Sequence, residues 1–252
     1  MDSTTEAKVQ LWKDNVTEAD LKAELDGLLA GDEEKLNDAF YRDLAFGTAG
    51  LRGVLGVGTN RMNVHVVAQA TQGVADYLNA HYDKPTLALA RDSRNKGEDF
   101  QKVAAGVLAA IGVRVSVYPR LVPVPTLSFA VRYLHTSAGI VLTASHNPAI
   151  YNGYKVYNDN GGQITDEAAD EISANIANVD VFHGIKMMDF DEGLEKGLIE
   201  WTPEAVLDSF IENVKKVSIP GFKADPSYSV VYTPLNGTGM ECVSRILKEV
   251  GV

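Results

Sequence analysis

The chain has 252 residues, enough for one large domain or two small ones with a sizeable core. Hydrophobic residues at 45%, charged residues at 23%, and 22 glycines and 9 prolines exclude a disordered, collagen-like or low-complexity chain. The net charge of −11 argues against duplex nucleic acid, which needs a concentrated basic face. No apolar run approaches the ~18 residues of a membrane helix. The N-terminus MDSTTEAKVQ is acidic and polar where a signal peptide is basic and then apolar. The expectation is a cytoplasmic protein with no membrane partner. The single cysteine, Cys242, excludes an internal disulfide and a multi-cysteine zinc site.

The charge is unevenly spread. Residues 1–43 carry a net −7 and residues 180–208 a net −6, which leaves +2 for the rest. The acidic stretches read as solvated helix faces, and a few local Arg and Lys residues in the near-neutral middle suffice to hold an anionic substrate.

Residues 8–43 read as two acidic helices broken near Gly31, with Leu11, Leu21, Leu25, Leu28, Leu36 and Phe40 turned inward. Val64, Val67, Ala68, Thr71, Ala75 and Leu78 fall at helical spacing, as do Phe100, Val103, Ala104, Val107, Leu108 and Ile111. Between and after these helices lie β-prone runs at Thr86–Ala90, Val113–Tyr118, Ala138–Thr143 and Tyr154–Tyr157, each bounded by turn residues. Alternating strand and helix predict an α/β domain, its sheet sandwiched between helices and its strand-end loops free for chemistry. A second unit is expected near Trp201, with Thr202 as cap, Pro203 as first residue and Glu204 supporting a helix to about Lys216. A strand at Tyr228–Thr233 and a helix with Met240, Val243, Leu247 and Val250 inward complete the reading. One strand and one helix cannot bury their apolar faces alone. Residues 1–205 are therefore expected to form one α/β domain with a helical N-terminal extension, and 206–252 the truncated start of a second α/β domain.

Three segments bear on chemistry. Phe46–Gly58 holds five glycines between positions 47 and 58 and one guanidinium, Arg52. Such a loop can turn amides and a positive charge toward a phosphate, although the glycine content alone favours a turn joining two elements. Thr143-Ala144-Ser145-His146-Asn147-Pro148 follows an apolar strand, where a catalytic loop and a plain Asn-Pro turn are both possible. A serine hydrolase is disfavoured, because Gly-x-Ser-x-Gly is absent and His146 adjoins Ser145 in sequence. Asn152–Gly162 reads as a return strand and tight turn that carries Lys155 back toward the serine loop. Arg91-Asp92-Ser93-Arg94 reads as an ion-paired turn after a strand.

In this order the segments resemble the α-D-phosphohexomutase family, the phosphoglucomutases, phosphomannomutases and relatives, over residues from about 40 to 252. Thr-Ala-Ser-His-Asn-Pro is similar to the family's phosphoserine loop, and Phe-Gly-Thr-Ala-Gly-Leu-Arg-Gly to its phosphoglucomutase branch. Tyr232–Gly239 is similar to the opening of the family's second domain, with Asn236 where a His is commoner.

The resemblance implies an isomerase in which Ser145 carries a phosphoryl group and exchanges it with a hexose monophosphate through glucose 1,6-bisphosphate. It implies charge neutralisation by Arg52 and Lys155, a phosphate-orienting or proton-exchanging role for His146, and substrate contacts from Thr48 and Asn147. It further implies Mg²⁺ bound through the phosphate on Ser145 and through an Asp-x-Asp-x-Asp-Arg loop of the second domain. Residues 1–252 lack that triplet and the family's third and fourth domains, so the expectation is an N-terminal fragment, inactive alone and partnered by the rest of a longer chain. Phosphomannomutase or phosphopentomutase specificity and a non-catalytic sugar-phosphate-binding protein are the alternatives.

Overall fold

The computed structural model describes residues 1–221, 223–225 and 227–252. Three helices open the chain: α1 (Ser3–Asn15), α2 (Ala19–Gly31) and α3 (Glu33–Phe40). The sequence pattern suggested two. The extra break lies at Val16, whose extended backbone (φ −67°, ψ 125°) turns its side chain into the core. Asp2 and Asp32 start α1 and α3 by accepting the amides of Thr5 at 2.8 Å and Lys35 at 3.0 Å. Leu21, Leu25, Leu36 and Phe40 are buried as expected and Leu28 half-buried. Leu11 is exposed instead, and Val9 and Trp12 form the inner face of α1.

The body follows as β1 (Leu51–Val54), α4 (Val64–His81), β2 (Thr86–Arg91), α5 (Gly97–Ala110), β3 (Arg114–Val117), α6 (Val124–Leu134), β4 (Ala138–Leu142) and β5 (Tyr151–Asn158). After these come α7 (Asp166–Ala177), α8 (Phe190–Glu195), β6 (Ile199–Trp201), α9 (Glu204–Lys215) and α10 (Met240–Glu249). The six strands form one mixed sheet in the order β1-β5-β4-β2-β3-β6. Only β5 runs against its neighbours; the pairs β4–β2, β2–β3 and β3–β6 are parallel.

Side-chain alternation along the strands supplies both faces of the sheet. Leu87 and Leu89 of β2, with Ile140 and Leu142 of β4, join the large core formed with α4, α5, α7 and the N-terminal helices. Ala88, Ala90 and Val141 face the other way, onto Leu127 and Val131 of α6 and Val206 of α9. The expected α/β sandwich is thus present. No helix among the described residues is long and apolar enough to cross a membrane.

Several expectations need correction. Helices α6 and α7 and strand β6 had no counterpart in the sequence reading. Pro123 and Pro125 lie beside the start of α6, and a proline in the first helical turn costs nothing because that amide has no partner anyway. Trp201 ends β6 and pairs with Val117 at the edge of the sheet. Thr202 does not cap α9: Pro203 holds that position, and the Thr202 hydroxyl lies 3.1 Å from that of Ser116 in the core. Residues Tyr228–Thr233 form no strand, because no neighbouring strand among the described residues offers them a ladder; Val231 is fully exposed. Position 205 falls in the first turn of α9. Its Val206 belongs to the core under the sheet, whereas Leu207 and Ile211 pack with Cys242 of α10.

Candidate active site

Strands β2 and β4 are parallel neighbours, with Arg91 opposite Leu142 at their carboxyl ends. From β2 the chain proceeds to β3 on one side, while β4 lies on the other, so their terminal loops diverge and leave a crevice. The two loops are 92–95 and 143–148.

In the second loop Ser145 has φ +55°, in the left-handed region, and the Asn147 amide donates to the Ala144 carbonyl across the turn at 3.1 Å. A non-glycine residue there costs about 1 to 3 kcal/mol and persists only where its surroundings enforce it. They do so here from two sides. The Thr143 hydroxyl donates to Asp92 Oδ2 at 2.5 Å and accepts the Ser145 amide at 3.2 Å. From behind, Arg94 Nη2 donates to the carbonyls of Ser145 at 2.8 Å and Asn147 at 2.6 Å, and Nη1 to those of Pro148 at 3.0 Å and Tyr151 at 2.8 Å. The expected ion-paired turn is real: Arg94 Nε lies 3.6 Å from Asp92 Oδ2, and both side chains are largely buried. In front, the exposed Ser145 Oγ stands 3.2 Å from His146 Nδ1.

The glycine-rich segment expected as a loop contains strand β1, which pairs with β5 so that Arg52 stands opposite Gly153. Two glycines permit this. A Cβ on Gly50 (φ +73°) would sit 1.8 Å from the Tyr154 carbonyl oxygen, and one on Gly153 2.5 Å from that of Thr143 and 2.8 Å from that of Leu51. This close approach brings the exposed Arg52 to the serine loop, where its Nη1 donates to Asn147 Oδ1 at 3.1 Å.

Ser145, His146, Asn147 and Arg52 are therefore brought together. Thr48 lies half-buried in the turn closed by the Gly50 amide on the Gly47 carbonyl at 2.7 Å. Lys155 is half-buried on β5 opposite Val141, on the α6 side of the sheet, and its side chain makes no hydrogen bond or ion pair to the described residues.

Ser145 opens into a cavity of 930 Å³ whose lining includes Asp92, Thr143, His146, Asn147, Val124 and the turn Leu235–Thr238. Arg52, Thr48 and Lys155 stand outside this lining. The turn is tied to the first loop by the Ser93 hydroxyl, which donates to the Asn236 carbonyl at 2.5 Å. The sequence placed Thr143 in the candidate loop and Arg94 in an ion-paired turn but assigned neither a role in holding the serine. Their signal was position, since both lie within three residues of the carboxyl end of a parallel strand.

The donor set does not complete a Mg²⁺ site. Among the described residues no three metal-ligating side chains converge. Both Asp92 oxygens already accept hydrogen bonds, from Thr143 and from the Arg94 amide at 3.0 Å. A phosphoryl group on Ser145 would add one oxygen ligand of the six that Mg²⁺ takes.

An α/β sandwich with a strained serine in a strand-end loop defines a class, and comparison with known proteins identifies it. The model of phosphoglucomutase/phosphomannomutase, alpha/beta/alpha domain I, matches residues 43–181. The chain belongs to the phosphoglucomutase/phosphomannomutase family. It is 37% identical over 239 residues to a phosphoglucomutase of Staphylococcus saprophyticus, covering 95% of this chain and 42% of the relative. It is 35% identical over 214 residues to a phosphoglucomutase of Staphylococcus aureus strain MRSA252, covering 84% and 38%. A solved structure from Thermus thermophilus, provisionally named a phosphomannomutase, superposes with TM-score 0.67 at 26% identity over 83% of this chain and 44% of that one. The open form of Paramecium parafusin shares the fold, with TM-score 0.63 at 16% identity over 83% and 42%. The chain thus spans less than half the length of these relatives.

Proposed function

We propose that this chain is the phosphoserine-bearing part of a phosphohexomutase that interconverts glucose 1-phosphate and glucose 6-phosphate through glucose 1,6-bisphosphate. The observation that carries the reading is Ser145, held at positive φ with its hydroxyl free toward a large cavity and 3.2 Å from His146. Residues 1–205 would form the phosphoserine-bearing domain and 206–252 the start of a second unit, with α9 bridging them.

In the loading step a hexose bisphosphate gives one phosphoryl group to Ser145. The bond from phosphorus to the sugar oxygen breaks as the bond to Ser145 Oγ forms. The serine proton passes to His146 Nδ1, and the departing sugar oxygen takes a proton. In the reverse direction the acceptor hydroxyl loses its proton and Ser145 regains one. Arg52, anchored on Asn147, brings a positive charge beside the phosphoryl oxygens. Lys155 belongs to the proposal as a second cation, and Thr48 and Asn147 as substrate contacts. Mg²⁺ bound to the phosphoryl group would neutralise developing charge; its remaining protein ligands are not supplied by this donor set.

Turnover also needs the sugar to be held and reversed, for which the described residues offer no second phosphate grip. The pure chain, given glucose 1,6-bisphosphate and Mg²⁺, should therefore release about one equivalent of glucose monophosphate per chain and then stop. Ser145→Ala should release none. Continuous conversion of glucose 1-phosphate by the pure chain, or release that persists in Ser145→Ala, overturns the reading. Tight bisphosphate binding without release favours a sugar-phosphate-binding protein, and faster release from mannose or pentose bisphosphates reassigns the sugar.

A further inference from the structure

The Arg94 guanidinium spends four of its five N–H groups on one object, the backbone of the serine loop and its exit. Its carbonyl acceptors belong to Ser145, Asn147, Pro148 and Tyr151, at 2.6 to 3.0 Å. The fifth, on Nε, is buried without a hydrogen-bond partner, 3.6 Å from Asp92 Oδ2. A buried donor left unmet is costly, so a side chain that accepts this arrangement is held there by its other contacts. Arg94 belongs to the loop after β2, and the same loop reaches the Asn236 carbonyl through Ser93. It also receives the Asn152 side-chain amide on the Asn95 carbonyl at 2.9 Å.

We infer that Arg94 is a positioning residue for phosphoryl transfer at Ser145: its planar fork fixes the carbonyl of the serine itself and those of Asn147, Pro148 and Tyr151 beyond it, and so holds the left-handed turn that aims Oγ into the cavity. Arg94 also lines the cavity, but its four hydrogen bonds all go to main-chain carbonyls and none to Ser145 Oγ or the His146 ring, so its role is exerted through the backbone of the loop. Geometry is the decisive property. Four carbonyls shared two by two between Nη1 and Nη2 suit a guanidinium fork, and an ammonium offers a compact point charge with three rotating donors. Lysine therefore keeps the charge and loses the fork.

This inference rests on the reading of Ser145 as the phosphoryl carrier, and two readouts on the same chain separate their failures. Amide hydrogen exchange at 144–148 reads the loop directly, without chemistry. In Arg94→Lys and Arg94→Met it should accelerate by about tenfold or more relative to wild type, while the amides of β2 and β4 keep their protection. Single-turnover loading from glucose 1,6-bisphosphate reads the consequence. Its maximal rate should fall by roughly tenfold to a hundredfold in both variants, because small misplacements of a reacting group cost that much, with the half-saturating bisphosphate concentration unchanged.

Failure of Arg94→Lys to slow loading, with wild type active, overturns the inference, as does unchanged exchange at 144–148. A rise in the half-saturating concentration at constant maximal rate also overturns it, by making Arg94 a binding group. Should wild type itself fail to load, the carrier reading fails, and exchange at 144–148 alone then decides whether Arg94 holds the turn. If Arg94→Met does not fold, Arg94→Lys and the milder Asp92→Asn carry the same comparison.

Discussion

Replacing Gly50 by alanine forces a methyl group to a point 1.8 Å from the Tyr154 carbonyl oxygen and 3.0 Å from the Lys155 Cα, both main-chain atoms of β5. Two costs combine. An L-residue at φ +73° loses about 1 to 2 kcal/mol, and driving backbone apart in a packed sheet costs about 1 to 3 kcal/mol more. The total is about 2 to 5 kcal/mol. Gly112 separates the two contributions, because its φ is +88° and nothing lies within 4 Å of its Cβ position. Gly112→Ala should therefore lose only the conformational part, about 1 to 2 kcal/mol. Urea unfolding followed by fluorescence of Trp12, fully buried against Phe40, measures both variants. Gly50→Ala should be the weaker protein by at least about 1 kcal/mol. Equal losses would refute the claim that β1 is seated by the absence of a side chain at position 50.

The hydrogen bond from Lys96 Nζ at 2.8 Å holds the Asp20 carboxyl below its ordinary value of 3.8. The unfolded chain then takes up the proton first as pH falls. The stabilisation is therefore complete above the ordinary carboxylate range and disappears as pH drops through the lowered folded value. Both side chains are about half exposed, so the effect at neutral pH stays below about 1 kcal/mol. The urea midpoints of wild type and Lys96→Met should converge between pH 7 and pH 3, and a gap that widens on acidification contradicts the assignment. Burial pushes the Cys242 thiol up, so a disulfide reagent at mildly alkaline pH should modify it at least about tenfold more slowly in the native protein than in urea. Equal rates would mean that α10 does not stay packed on α9.

Much of the architecture was legible because periodicity reports burial. The inward positions of α4 and α5 and the apolar run of β4 follow from their spacing alone. What escaped was set by partners distant in sequence. Strand β1 is disguised by glycines that exist for the backbone of β5, and β6 is three residues long and defined only by its pairing with β3. The opposite error occurred at Tyr228–Thr233, where β propensity without a neighbouring strand produced no strand. At the site, Ser145, His146 and Asn147 were visible as a motif and Arg52 as the cation of a glycine-rich run. The grip of Arg94 was not visible, because its acceptors are main-chain carbonyls, which every residue carries.

The location of the phosphoryl group tests the proposed chemistry most directly. After incubation of the pure chain with glucose 1,6-bisphosphate and Mg²⁺, mass spectrometry of its peptides should find one phosphoryl group, on Ser145, and none in Ser145→Ala. A phosphoryl group on another residue, or its persistence in Ser145→Ala, would contradict the assignment of Ser145 as the carrier.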